Sequence, residues 1–141
     1  MATAQTTITA PAAEIIAVLA DLPGMLDWSA ADSVQVIEYD AQARPVLARW
    51  REHYGPLPDE FVLRYEWDGD TGVSWRLVQG RILKKEDGHY RLSPAPAGAT
   101  TVEYQLALGI GVWLPPCIRS RLEATIVDAT LAALKRRVET G

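Results

Sequence analysis

The stretch ARWREHYGPLPDEFVLRYEW, residues 48–67, has the pattern of two β-strands joined by a turn that contains glycine and two prolines. Because successive side chains of a strand point to opposite faces, Trp50, Glu52 and Tyr54 share one face and basic side chains occupy the other. If the tryptophan face is buried, Glu52 is a carboxylate that points into an apolar interior. The stretch therefore predicts an antiparallel sheet with one solvated face, one buried face and an acid on the buried side.

The bulk composition is that of a single acidic domain. The chain has 141 residues, a net charge of −4 and 48% hydrophobic residues, so we predict one domain over residues 1–141 and no basic surface for nucleic acid. Its one cysteine excludes an intramolecular disulfide. No segment approaches the roughly 20 apolar residues of a membrane span, and the N-terminus lacks a secretory signal pattern. We expect a cytoplasmic protein, either a monomer or a homodimer.

The periodicity of apolar residues changes along the chain from helical to strand-like. After a short first strand, it predicts a helix over residues 11–20 and a helical turn at 25–28, and Pro115–Pro116 open a long helix that runs to about Glu139. The Asp87–Gly88 pair is either a turn or a bulge within one long strand. The predicted strands span residues 6–9, 33–40, 45–54, 60–68, 73–80, 82–93 and 100–110.

The final helix is the one element long enough to cover the buried face of such a sheet. It carries two apolar stripes, one that includes Ile118, Leu122 and Ile126 and another that includes Val127 and Leu131. Two stripes are typical of a helix that is buried on two sides. The sequence leaves open which stripe faces the sheet.

Three segments of the chain resemble the START-like helix-grip superfamily, in its polyketide cyclase/dehydrase and lipid-transport group. They are ITAPAAEIIAVLADLPGMLDW (8–28), FVLRYEWDGDTGVSWRLVQGRILKKEDGHYRL (61–92), and the Leu-Pro that precedes an arginine-rich helix ending in ALKRRVE (133–139). The resemblance implies an α+β fold in which a curved antiparallel sheet of about seven strands wraps around the long C-terminal helix, with two short helices after the first strand. It also implies a cavity for lipids, quinones, polyketides or aromatic metabolites.

Glu52 and Tyr54 are the predicted catalytic residues. In chains that look like this one, the first position is usually aliphatic and the second small. Desolvation would raise the pKa of the Glu52 carboxyl toward neutrality and make it a general acid or base, with a tyrosine assisting. Two other interpretations of Glu52 stay open: a solvated position at the rim of the sheet, and a buried ion pair with Arg119 or Arg121.

The aromatic side chains on the buried face line a pocket or fill a core. Trp113 lies in the connection at residues 109–116, which is either a lid at a cavity mouth or a tight link with the indole packed on the helix. The predicted ligand-binding residues are Trp50, Leu63, Tyr65, Trp67, Trp75, Leu77, Gln79, Tyr90, Tyr104, Leu106, Trp113, Leu122 and Ile126.

The sequence contains no recognisable motif for a metal or a cofactor. Alternation places His53 and His89 on the outer face, and we predict no metal site and no cofactor. Cys117 is expected to be a buried, inert thiol. The spacing of Gly109 and Gly111 lacks the rest of a dinucleotide fingerprint. Basic residues of the last helix form either a solvated face or a contact surface for an acyl-carrier protein or an anionic headgroup.

The leading functional hypothesis is an enzyme that binds a hydrophobic, ring-containing or polyketide-like small molecule and catalyses its cyclisation or dehydration by acid–base chemistry. The alternative is a non-catalytic carrier or chaperone for a lipid or quinone, which needs the cavity but not the acid. A third hypothesis, a protein-interaction module, requires a filled cavity and an exposed apolar patch.

Overall fold

A computed structural model of the chain describes residues 1–54 and 56–141, with Tyr54 described in its backbone alone. One seven-stranded antiparallel sheet carries a long C-terminal helix, as the sequence predicted. The strands lie in the order β1-β7-β6-β5-β4-β3-β2. They are β1 (Ala2–Ile8), β2 (Ser33–Tyr39), β3 (Pro45–Tyr54), β4 (Leu57–Asp68), β5 (Gly72–Gly80), β6 (Leu83–Pro94) and β7 (Thr100–Ile110).

The first strand starts at Ala2, earlier than the sequence pattern indicated, because it pairs with β7 along its whole length. Ala2 lies opposite Leu106 and Ile8 lies opposite Thr100. A short helix, α1 (Ala12–Ala20), follows β1. Pro11, in an extended conformation, is its N-cap residue. The predicted second short helix is a 3₁₀ helix at Pro23–Asp27.

The long helix α2 (Pro116–Thr140) has 25 residues and is about 38 Å long. The stripe that includes Val127 and Leu131 faces the sheet, which settles the choice that the sequence left open. Ile118 of the other stripe is exposed, whereas Leu122 and Ile126 are half-buried. The buried residues of α2 are Glu123, Val127, Leu131, Leu134 and Val138.

The solid part of the core lies where the C-terminal half of α2 meets α1, β1 and β7. Fully buried aliphatic side chains fill this region and supply the hydrophobic stabilisation of the domain. The largest of them are Ile8, Ile15, Ile16, Leu22, Leu106 and Leu134. The N-terminal half of α2, from Pro116 to Ile126, buries much less of its surface.

Two register shifts alter which side chains reach the inner face. Between β4 and β5, Val62 pairs with Gln79 but Leu63 pairs with Leu77, so that β5 carries an extra residue. Between β6 and β7 the shift lies near Leu83, whereas Asp87 and Gly88 pair regularly within one strand. None of the helices within the described ranges is both long and apolar enough to cross a bilayer.

Candidate functional site

The inner face of the sheet carries a connected group of aromatic rings from four adjacent strands. Ring centroids are 6.2 Å apart for Tyr65 and Trp75, 5.4 Å for Trp75 and Tyr90, and 4.5 Å for Tyr90 and Tyr104. Trp75 also lies 5.8 Å from Tyr104, and Tyr65 lies 6.4 Å from Trp67. The offset and tilted geometries are those that aromatic pairs prefer. These rings form one wall that is apolar along its faces and polar at its edges.

The polar edges of two of these rings are fixed by hydrogen bonds. Trp50 Nε1 donates to the hydroxyl oxygen of Tyr65 at 2.8 Å, and this bond is buried. Trp75 Nε1 donates to Oε2 of Glu86 at the same distance. The indole of Trp75 therefore holds a carboxyl group against the aromatic wall.

Gly88 on β6 pairs with Trp75 across the sheet and leaves room for the indole ring. A Cβ atom added at Gly88 would lie 2.4 Å from Cζ2 and 2.9 Å from Nε1 of Trp75. Such a contact is far closer than atomic radii allow, so only glycine lets the ring lie flat over this point of the strand. Glu86, two residues earlier on the same strand, then faces inward beside the ring.

Glu52 occupies the end of β3, opposite Asp59 on β4. Its side chain is half-buried, and among residues 1–54 and 56–141 it has no hydrogen-bond or ion-pair partner. The pKa of the Glu52 carboxyl is raised to about 7, mainly by burial and in smaller part by the negative charges of Asp32 and Asp59. Arg119 and Arg121 are exposed, so the ion pair with the helix that the sequence allowed is absent from the described part of the chain.

Glu86 is a second acid with a pKa near neutrality. The pKa of its carboxyl is raised to about 7 because burial and the negative charge of Glu52 together outweigh the opposing hydrogen bond from Trp75. The negative charge of Glu52 therefore acts on the protonation of Glu86. Near pH 7 both carboxyl groups are present in protonated and ionised forms, which is the condition for acid and base chemistry in one site.

The hydroxyls of Tyr90 and Tyr104 are affected electrostatically by Glu86. Both side chains are buried, and burial raises the pKa of both hydroxyls well above the usual tyrosine range, so they remain protonated. Within the described residues neither hydroxyl has a hydrogen-bond partner. No polar side-chain atom in the described residues is both fully buried and unpartnered, so these two oxygens keep some accessible surface.

Partly accessible side chains lie between the sheet and the N-terminal half of α2. Five side chains on the inner face or at the flank of α2 are half-buried there, whereas those around the C-terminal half of α2 are buried. They are Glu52, Leu77, Glu86, Leu108 and Ile126. We refer to the region that they border, together with the aromatic wall, as the hollow.

The predicted ligand-binding residues fall into three groups in the structure. The buried ones on the inner face are Trp50, Leu63, Tyr65, Trp75, Tyr90, Tyr104 and Leu106. The half-buried ones are Trp67, Leu77, Leu122 and Ile126. The exposed ones are Gln79 and Trp113.

Gln79 is exposed, contrary to its predicted inward orientation, because the extra residue in β5 reverses the alternation before it. Trp113 is 82% exposed, so it does not pack on the helix as one interpretation held.

Cys117 is exposed, and its prediction as a buried thiol is wrong. The side chain of Tyr54, predicted to be catalytic, lies outside the described part of the structure.

Both histidines lie on the outer face, as alternation predicted. His53 pairs with Asp32 and His89 Nε2 lies 3.3 Å from Glu103 Oε1. No group of three or more histidine, cysteine, aspartate or glutamate side chains suited to a metal ion occurs in the ranges that the structure describes.

Sequence reasoning missed three acids that the structure buries or half-buries. Glu86 shares its strand parity with Tyr90 and Leu92, which were expected to face inward, so alternation alone would have found it. Asp59 shares parity with Phe61 in the same way, and its carboxylate accepts hydrogen bonds from the backbone of Ile82 and Leu83 at 2.8 and 3.1 Å.

Glu123 is the third missed acid. Its side chain, on α2, is buried. Oε2 accepts a 2.7 Å hydrogen bond from the backbone N–H of Leu108, and Oε1 accepts one of 2.6 Å from the amino group of Met1. These two contacts lower the pKa of its carboxyl against the effect of burial. The helical pattern gave no signal for it, because Glu123 interrupts an apolar stripe.

Two surface cavities lie outside the hollow. One of about 370 Å³ is formed by the β7–α2 connection, with Gly109, Ile110, Trp113, Pro116 and Arg119 among its lining residues. The other, about 840 Å³, is a groove on the outer face that includes Glu66, Ser74, His89, Arg91 and Glu103. The first cavity lies at the end of the sheet where the N-terminal half of α2 begins.

The fold and the acid-bearing inner face define a protein of the helix-grip class. The chain belongs to the polyketide cyclase / dehydrase and lipid transport family, whose model matches residues 1–139. A comparison with curated protein sequences found no significant match.

Solved structures with the same fold cover almost the whole chain. A START superfamily protein from Mycobacterium smegmatis superposes with a TM-score of 0.90 at 16% identity, covering 99% of this chain and 97% of that chain. The Zhui aromatase/cyclase from Streptomyces sp. R1128 has a TM-score of 0.79 at 18% identity, with 98% and 92% covered. A protein from Deinococcus radiodurans has a TM-score of 0.69 at 26% identity, with 99% and 97% covered.

Proposed function

We propose that the protein binds a hydrophobic, ring-containing small molecule in the hollow and catalyses its cyclisation or dehydration with Glu52 and Glu86 as the acid–base pair. The observation that carries the proposal is the pair itself: two inward carboxyls, each with a pKa of about 7, of which Glu86 is hydrogen-bonded to Trp75 of the aromatic wall. The family includes cyclases and dehydrases by its description, and an aromatase/cyclase has the same fold. Tyr54 as an assisting residue stays a prediction.

The chemistry assigned to the pair is an elimination of water. The ionised carboxylate removes a proton from the carbon next to a ketone carbonyl, and the protonated carboxyl donates its proton to the departing β-hydroxyl. Water leaves and a conjugated double bond forms, so one acid ends protonated and the other ionised. Trp75 fixes Glu86 for this step, while the aromatic wall orients the rings of the substrate.

A naphthyl-substituted β-hydroxyketone tests this proposal, because its dehydration to a conjugated enone is followed by absorbance. We expect turnover with a bell-shaped pH dependence centred near 7, and a loss of about two to four orders of magnitude in kcat for Glu52→Gln or Glu86→Gln. Glu66→Gln, on the outer face of β4, is the matched control and should keep full activity. Turnover in Glu52→Gln equal to that of the wild type would reject the assigned chemistry.

The surface near Trp113 favours a second candidate, a non-catalytic lipid or quinone carrier. Val112, Trp113 and Ile118 form an exposed apolar group beside the 370 Å³ cavity, and Arg119 lines that cavity. Such a group suits contact with a donor of apolar cargo, an anionic headgroup or an acyl-carrier protein. Extraction of an unchanged hydrophobic ligand from the purified protein, retained in Glu52→Gln, would favour the carrier.

A further inference from the structure

Given the ligand-binding hollow of the proposed function, on which this inference rests, we propose that its ligand is a hydrophobic amine. Glu86 and Glu52 pair with the protonated nitrogen, and Trp75, Tyr90 and Tyr104 surround it with aromatic faces and hydroxyl oxygens. The argument depends on the charges that face the hollow, on two unpartnered hydroxyls and on the geometry of the rings.

The first observation concerns charge. The titratable side chains that line the hollow are acids and tyrosines, and Glu52 has no partner among the described residues. All 14 lysines and arginines lie in the described ranges, and each is either exposed or only half-buried. The half-buried ones contact surface groups: Arg44 pairs with Asp70, Arg49 with Glu60, Arg64 with Glu38, and Lys135 with Glu139.

An uncompensated pair of carboxylates disfavours an anionic ligand and favours a cationic one. Like charge in a medium of low polarity repels a fatty acid or a phosphate, whereas an ammonium group is attracted by both carboxylates and can pair with one of them. Folding has already desolvated these acids, so the ligand meets groups that are prepared for it. An added positive charge therefore relieves a repulsion that the folded protein already contains.

The second observation is independent of the acids. Tyr90 and Tyr104 each expose only 5% of their surface, and their hydroxyls have no protein partner among residues 1–54 and 56–141 while keeping some accessible surface. Polar groups at such positions normally bind another protein group or an ordered molecule. The two rings stack with centroids 4.5 Å apart, so both hydroxyls can serve one polar group of a ligand. The lone pairs of both oxygens can accept hydrogen bonds from an ammonium group.

The third observation is the shape of the aromatic wall. Trp75 lies within 6 Å of both Tyr90 and Tyr104, so three aromatic rings are grouped around the indole whose edge holds Glu86. A cation against such faces is stabilised by their quadrupoles, and more strongly when water is excluded. The apolar part of the amine would contact Leu77, Leu108 and Ile126.

Other titratable groups stand around the two glutamates and define what pH will change. Asp32 and Asp59 lie near Glu52, Asp87 lies beside Glu86, and the tyrosines stay protonated. On α2, Glu123 is engaged by Leu108 and Met1. In this neighbourhood, Glu52 and Glu86 are the groups whose pKa is raised into the neutral range. Acidification below pH 7 should therefore neutralise the pair that binds the amine.

Three probes of one shape test the proposal by calorimetric titration: naphthylethylamine, which stays protonated, naphthylethanol, which is neutral, and naphthylpropionate, which is anionic. At about pH 8 we expect the amine to bind about tenfold or more tightly than the alcohol, and the anion to bind more weakly than either. At about pH 5.5 the affinity for the amine should fall about tenfold or more, while that for the alcohol stays within about twofold.

Variants separate this inference from the proposed function. The double variant Glu52→Gln with Glu86→Gln should bind the alcohol as the wild type does and lose its preference for the amine, whereas Glu66→Gln should keep the preference. Equal affinity for amine and alcohol at about pH 8, or a preference that survives the double variant, overturns the amine proposal and leaves the ligand-binding hollow standing. If none of the three probes binds the wild type, both the amine proposal and the hollow are rejected.

Discussion

Trp75 Nε1 donates a 2.8 Å hydrogen bond to Glu86 Oε2, which ties the centre of the aromatic wall to an acid whose pKa is raised to about 7. This relationship joins a residue that the sequence analysis selected to one that it missed. It also couples structure to pH, because the carboxyl is held at a place where its ionised form is disfavoured.

Replacement of Glu86 by glutamine should stabilise the protein at neutral pH. The pKa of this carboxyl is higher in the folded than in the unfolded protein, so its contribution to stability is full below about pH 4.5 and is lost as the pH rises through about 7. A glutamine keeps the acceptor for Trp75 and never ionises. We expect Glu86→Gln to raise the free energy of unfolding by about 1–3 kcal/mol at about pH 8 and to leave it unchanged at about pH 4.

Urea unfolding of both proteins across this pH range measures the difference directly. Taking the difference cancels the opposite pH dependence of Glu123, whose pKa is lowered and whose stabilisation is lost on acidification. A difference that grows toward low pH would contradict the assignment of a raised pKa to Glu86.

Replacement of Gly88 by alanine should displace the Trp75 indole. The new methyl group would lie 2.4 Å from Trp75 Cζ2, and both backbone strands are held by the sheet, so the ring must move. We expect a loss of about 1–3 kcal/mol in the free energy of unfolding, a change in tryptophan fluorescence and weaker ligand binding.

Gly111→Ala is the matched control for that change. A Cβ there meets the flexible Lys84 side chain at 3.1 Å, so stability should stay within about 0.5 kcal/mol of the wild type. Equal stability of the two variants would mean that the space over Gly88 does not position Trp75.

Asp59 should stabilise the fold because its carboxylate accepts hydrogen bonds from backbone N–H groups. Its carboxylate accepts hydrogen bonds from the N–H groups of Glu60, Ile82 and Leu83 at 2.8 to 3.1 Å, and the side chain is buried. Asp59→Asn replaces one acceptor oxygen by a donor that faces another donor. Denaturant unfolding should show a loss of about 1–3 kcal/mol, against no measurable loss for the exposed Asp68→Asn. A neutral effect at both positions would rule out this role.

The two tryptophans Trp50 and Trp113 should respond in opposite ways to replacement by phenylalanine. Trp50 is buried and hydrogen-bonded to Tyr65, so Trp50→Phe should cost about 1–2 kcal/mol in the free energy of unfolding. Trp113 is exposed, so Trp113→Phe should leave stability within about 0.5 kcal/mol and remove the largest share of the fluorescence that iodide quenches. Iodide quenching that persists unchanged in Trp113→Phe would contradict the exposed position.

Much of the inner face was predictable because strand alternation is a local property. Trp50, Tyr65, Trp75 and Tyr104 face inward as the pattern indicated, and the same rule applied to β6 would have found Glu86. Gln79 was misplaced because its orientation depends on a bulge between two strands, which is set by pairing and not by the composition of either strand. Likewise, the helix stripe that faces the sheet could not be chosen from two stripes of similar hydrophobicity.

The amino-acid sequence by itself determined the order of strands and helices, the two-faced sheet and the presence of an acid among aromatic residues, because these follow from short-range periodicity. Only the tertiary structure decided that the charge of Glu52 acts on Glu86, that Trp75 holds Glu86, and that the hydroxyls of Tyr90 and Tyr104 have no hydrogen-bond partner among the described residues. These relationships join different strands, and a shift of one residue in any register would send the side chains to the other face.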